Sequence, residues 1–190
     1  VATNISAGSS DACGIASMSV SPSSFTCTDL GPNTVTLTVT DVNGNSSTAT
    51  STVTVLDNIA PTVITQSHTV YLDATGNATI ATTDINNGST DNCSIASYAL
   101  NISSFDCSNV GQNLVTLTVA DGSGNSASGG AIVTVLDTMS PSVTPPANIT
   151  AYSGSGQCGT TVTWASPVGS DNCSVSNISA SIASGSFFNK

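Results

Sequence analysis

Apolar and polar residues alternate strictly in two stretches, Val35-Thr-Leu-Thr-Val39 and Val115-Thr-Leu-Thr-Val119. Shorter runs around Val53/Val55 and Val133/Val135 keep the same period. A period of two puts the apolar side chains on one face of an extended strand, and β-branched residues favour that conformation. Gly, Asn, Asp and Pro bound the runs, and no segment sustains a period of 3.6. The pattern predicts an all-β chain of half-buried antiparallel strands. Asp41-Val-Asn-Gly-Asn45 and Asp121-Gly-Ser-Gly-Asn125 each separate two such runs and read as hairpin turns, with glycine supplying a positive φ. Asp73-Ala-Thr-Gly-Asn77 reads the same way, and cation binding is the alternative use of these three loops.

The strands recur with a fixed offset. Asp11-Ala-Cys13, Asp91-Asn-Cys93 and Asp171-Asn-Cys173 are spaced 80 residues apart, and the strand runs and their flanks repeat with them. A self-similar chain builds one supersecondary unit several times rather than one large core. Val53-Thr-Val-Leu-Asp57 and Val133-Thr-Val-Leu-Asp137 each precede a proline, Pro61 or Pro141, that ends a strand ladder. Boundaries near residues 60 and 140 follow, giving repeat 1 over 1–60, repeat 2 over 61–140 and repeat 3 over 141–190. By the same offset the first repeat lacks its front and the third its end, as a window cut from a longer array would. Completion of the end repeats by neighbouring subunits is the other reading.

Composition narrows the partners. The chain carries eleven acidic residues, all Asp, against one Lys and no Arg, for a net charge of −10. Nucleic acid and anionic membranes both demand Lys/Arg clusters, so neither is expected as a partner. No apolar run reaches the roughly 18 residues of a membrane span. Divalent cations remain compatible with such a charge.

Units of this size have small cores and often need a staple. Six cysteines fall two per repeat: Cys13 and Cys27, Cys93 and Cys107, Cys158 and Cys173. Pairing within each repeat closes the shortest loops, among 15 connectivities that six cysteines allow. With a single His and no CxxC pair, a zinc cluster is not expected. Disulfides point to an oxidising, extracellular compartment. Trp164, the only tryptophan, lies between Cys158 and Cys173 and is expected to pack on their disulfide.

Residues of the third repeat, Pro145-Pro-Ala-Asn-Ile-Thr150, Gly156-Gln-Cys-Gly159, Val162-Thr-Trp164, Pro167 and Asp171-Asn-Cys173, resemble hyalin-type (HYR) repeats. The first two repeats resemble the immunoglobulin-like tandem repeats of large Bacteroidota-type surface adhesins. The resemblance implies immunoglobulin-like β-sandwich modules at the cell surface, serving adhesion or surface architecture. Asp137-Thr138-Met139 looks like the O-glycosylation pattern of Bacteroidota exported proteins, which makes Thr138 a candidate glycan acceptor.

Asp11, Asp91 and Asp171 open the loop that holds a cysteine, while Asp57 and Asp137 stand at repeat junctions. Hard oxygen ligands clustered at a junction suit Ca²⁺, which would neutralise the carboxylates and stiffen the hinge. Equally, Asp in such loops can simply bind local backbone amides. No Glu or Arg exists, His68 stands alone as an expected surface residue, and no Gly-x-Ser-x-Gly elbow occurs, so catalysis is not expected. These observations favour a stalk or spacer of a cell-surface protein whose partners are its neighbouring repeats. The rivals are a subunit of a self-assembling extracellular filament and a carbohydrate-binding accessory module of a secreted enzyme.

Overall fold

A computed structural model describes residues 5–189, which form thirteen strands, two single-turn 3₁₀ helices and one short α-helix. The all-β expectation holds, and the elements divide between two compact units. One comprises residues 5–63, 89–97 and 119–127; the other comprises residues 64–88, 98–118 and 128–189. Equivalent elements of the first two repeats open on equivalent residues: Ile15 and Ile95, Cys27 and Cys107, Gly31 and Gly111, Ser46 and Ser126.

In the first unit, β1 (Ile15–Ser21), β2 (Gly31–Asp41) and β3 (Ser46–Val55) form a three-stranded antiparallel sheet in chain order. The threonine alternation of β2 does what the pattern predicted, burying Val35 and Leu37 on one face. Its hairpin to β3 closes on Asp41, whose N–H donates to Asn45 O (2.9 Å), and Gly44 takes φ +89° there. A one-turn 3₁₀ helix, Cys27–Asp29, leads into β2. It is held by a capping box in which Asp29 Oδ2 accepts from Thr26 N (2.7 Å).

The second unit holds the larger core. β4 (His68–Tyr71) lies parallel to β9 (Ser126–Leu136), and the sheet continues through β8 (Gly111–Asp121) to β6 (Ile95–Leu100). A second sheet pairs β5 (Asn77–Thr79) with β7 (Ser104–Asp106). Leu117, Val115, Val133 and Val135 are fully buried, joined by Phe105 of β7 and by Ile85 of α1 (Thr82–Ile85). His68, an expected surface residue, is partly exposed in β4, opposite Val133. In the third repeat β10 (Ser142–Thr144) pairs with β12 (Val168–Ser170), and β11 (Gly159–Val162) with β13 (Ser186–Asn189).

Two disulfides form, Cys27–Cys93 and Cys107–Cys173, each spanning 66 residues. The expectation of one disulfide within each repeat is thereby corrected. In the first repeat the reason is visible in the sheet. Cys27 precedes the Gly31 end of β2, whereas Cys13 precedes Ile15, which pairs with Asp41 at the other end. Eleven strand residues at about 3.3 Å each hold those ends roughly 33 Å apart, far beyond the reach of a disulfide. Cys93 of the next repeat is the residue that meets Cys27. Cys13 and Cys158 are free thiols, both exposed. Trp164 does not pack on a Cys158–Cys173 disulfide; it tilts against Phe188 with ring centroids 6.3 Å apart.

Candidate metal centre

Three carboxylates of the first unit converge from separate elements: Asp57 after β3, Asp91 in the turn before β6, and Asp121 at the end of β8. One oxygen from each lies within 4.8 Å of the others. Local turn chemistry fixes all three. Asp91 Oδ2 accepts from Cys93 N (2.9 Å) and Ser94 N (3.0 Å), which folds the Asp-Asn-Cys turn around it. Asp121 Oδ1 accepts from Ser123 N (2.9 Å) and Asn125 N (2.8 Å), while Asn125 Nδ2 donates to Asp121 Oδ2 (2.7 Å). The same Asn125 amide donates to Asp57 O (3.1 Å), and Asn92 Nδ2 donates to Asp57 Oδ1 (3.1 Å). Two asparagines thus knit the junction strand to the turn and the hairpin.

What remains is unpaired. Asp57 Oδ2 and Asp91 Oδ1 are buried without a hydrogen-bond partner among the described residues. A buried ionised oxygen with no donor is costly, and here two of them share a site with a third carboxylate, so like-charge repulsion adds to the cost. Asp121 itself is 5% exposed. Burial pushes its carboxyl up, but the Asn125 side chain and the N–H groups of Asn125, Ser123 and Gly124 outweigh burial and hold it below the ordinary carboxylate value. It therefore stays charged. A hard cation answers every part of this description, since it needs oxygen ligands alone and supplies the missing positive charge. Two oxygens bound to Ca²⁺ at about 2.4 Å can lie no more than about 4.8 Å apart, and the three oxygens here lie within that distance of one another.

The expected cation residues divide accordingly. Asp57 and Asp91 come together, joined by Asp121, which its Gly-Ser-Gly loop had marked as a turn residue. It is both: one oxygen closes the hairpin and the carboxylate faces the cluster. Its only local signal was the Asp-x-x-Gly-Asn loop, which announces a turn and says nothing of the distant segments that arrive beside it.

Asp11 stands outside the cluster and accepts turn amides, from Cys13 N (2.8 Å) and Gly14 N (3.1 Å). Asp137 Oδ1 accepts from Met139 N (3.1 Å), and Asp171 Oδ1 from Asn172 N (2.7 Å); neither belongs to a triad among the described residues. Thr138 is exposed in the irregular segment between β9 and β10.

The two disulfides end at these same turns. Cys93 follows Asp91, and Cys173 follows Asp171, while their partners open the 3₁₀ turns at Cys27 and Cys107. In the second unit, Asn172 O lies 3.6 Å from Cys107 Sγ and Asn172 Nδ2 donates to Asp73 O (3.1 Å).

No family model and no curated protein matches the chain. Among solved structures it is similar to extracellular cadherin domains 1–4 of protocadherin gamma B7, at 13% identity and TM-score 0.36, covering 85% of this chain and 51% of that one. The EC3-6 cis-dimer structure of protocadherin gammaB7 matches at 17% identity and TM-score 0.34, covering 84% and 49%. An endo-fucoidan hydrolase of glycoside hydrolase family 107 matches at 19% identity and TM-score 0.27, covering 60% and 20%. The chain thus spans about half the length of the first two or less of the third, and likenesses this distant carry nothing about its ligands or activity. No helix among the described residues is long and apolar enough to cross a membrane.

Proposed function

We propose that the chain is a non-catalytic segment of an extracellular surface protein, a stalk or spacer of immunoglobulin-like repeats locked at their junctions by a disulfide and a divalent cation. The carrying observation is the pair of staples. Both run from the 3₁₀ turn of one repeat to the Asp-Asn-Cys turn of the next, and both close 66 residues. A bond placed between repeats, rather than inside one, ties a repeat to the next along the chain. Disulfides of this kind belong to oxidising compartments, which supports an extracellular location. The HYR-like residues of the third repeat and the adhesin-like character of the first two support a cell-surface role. Exposed Thr138 suits a glycan on the outer surface of such a segment.

The cation half of this reading rests on the buried, unpartnered oxygens of Asp57 and Asp91 beside Asp121. Ca²⁺ that binds only the folded chain raises its stability, by about 2.7 kcal/mol at a hundredfold excess over Kd. Melting the oxidised chain in EDTA and then in rising CaCl₂ is expected to raise Tm progressively, and Asp91→Asn to abolish most of that rise. An identical Tm in EDTA and millimolar calcium would remove the cation from the proposal, leaving the staple alone at the junction.

A further inference from the structure

The Cys27–Cys93 bond and the carboxylate cluster are built on the same three consecutive residues, Asp91, Asn92 and Cys93. Cys93 carries the bond to Cys27. Asn92 Nδ2 donates to Asp57 Oδ1 (3.1 Å) and to Cys93 Sγ (3.4 Å), and Asn92 O lies 3.5 Å from Cys27 Sγ. Asp91 Oδ2 accepts from Cys93 N, which leaves Asp91 Oδ1 as the buried, unpaired oxygen of the cluster. Every residue of this set belongs to the first unit.

The sulfur bond therefore fixes where the turn sits, and the turn fixes Asp91 directly and Asp57 through Asn92. A set of oxygens that must stay within 4.8 Å of one another tolerates little displacement. Without a cation, repulsion among Asp57, Asp91 and Asp121 works to spread them, and only the staple and the turn hydrogen bonds oppose it. The second staple is built differently. Asn172 Nδ2 donates to the main-chain carbonyl of Asp73 rather than to a carboxylate, and neither Asp137 nor Asp171 joins a triad among the described residues.

We propose that the cation site is gated by redox state: the Cys27–Cys93 bond holds Asp57 and Asp91 in register for the cation, and its reduction releases the ion. The inference rests on the cation half of the reading above. Coupling between two events on one protein is reciprocal, so a bound cation must protect this disulfide by the factor with which reduction weakens cation binding. Reduction by a dithiol breaks the Cys27–Cys93 S–S bond and makes two S–H groups; the dithiol supplies two electrons and two protons and closes to its own disulfide. Cys27 is exposed, so an attacking thiolate has access to its sulfur.

The test is a redox titration of the purified 190-residue chain in mixtures of reduced and oxidised dithiothreitol, once in EDTA and once in millimolar CaCl₂. Alkylation and mass mapping read each cysteine pair separately. In calcium, half-reduction of Cys27–Cys93 is expected to need a ratio of reduced to oxidised dithiothreitol raised about fivefold or more. Cys107–Cys173 in the same samples is expected not to move, and Asp121→Asn to remove the shift at Cys27–Cys93. Equal shifts of both pairs, or a shift that survives in Asp121→Asn, would overturn the inference. Calorimetric titration of the oxidised chain with CaCl₂ separates the two proposals. Calcium binding with an unmoved Cys27–Cys93 equilibrium would refute the gating alone, whereas no calcium binding would refute the cation reading and the gating with it.

Discussion

The carboxylate of Asp73 accepts hydrogen bonds from Thr75 N (2.8 Å), Thr75 Oγ1 (2.7 Å) and Asn77 N (3.1 Å). These bonds, the Thr75 hydroxyl foremost, hold its carboxyl below the ordinary carboxylate value. Asp41, Asp106 and Asp121 are depressed in the same direction by their own turns. A depressed folded-state value means the folded chain binds fewer protons than the unfolded chain, so stability rises with pH in that window. The contribution is complete above the unfolded aspartate value of about 4 and is lost as pH falls through the depressed values. Urea midpoints measured in EDTA should hold steady from neutrality down to roughly pH 5 and then fall. Asp73→Asn, which lies outside the cation cluster, should flatten that fall; an unaltered acid slope would show that the Asp73 turn does not contribute to it. At this scale the sequence was informative in part. Asp-x-x-Gly-Asn announces its turn because Gly and Asn carry the needed backbone geometry. The second duty of Asp121, facing Asp57 and Asp91, depends on which distant segments arrive beside it, and local spacing is silent on that.

Strand β8 carries the deepest burial, and its two faces differ sharply. Leu117 is fully buried, whereas its neighbour in the same strand, Leu114, is 64% exposed. Leu117→Ala should cost about 2–5 kcal/mol, because the surrounding sheet relaxes only partly into the lost volume. Leu114→Ala should move the urea midpoint by a small fraction of that, and comparable losses from both would contradict the strand's facing. The strands themselves were legible because a period of two is a direct consequence of pleating. Cysteine pairing was not. Proximity in sequence favoured 14-residue loops, but loop closure grows only with the logarithm of length. Lengthening the loop from 14 residues to 66 costs about 1.4 kcal/mol, which cannot overcome the geometry of an eleven-residue strand with one cysteine before each end.

Taken as a whole chain, the two staples change what a pulling force can reach. Each brackets 66 residues between Cα atoms only 5.3 or 5.4 Å apart. Unfolded and extended, 66 residues would reach about 220 Å, so each closed bond conceals roughly that much contour length. Stretched from its ends in an optical trap, the oxidised chain is expected to yield far less extension than its residue count implies, and a reductant to add two increments of roughly 200 Å. One increment, or increments of about 50 Å, would mean a different pairing. Tension therefore travels along a covalent short cut, entering at Cys27, leaving at Cys93, and crossing again from Cys107 to Cys173. The strands bracketed by the short cuts can open and refold without lengthening the tether, and only the segments outside them act as its elastic.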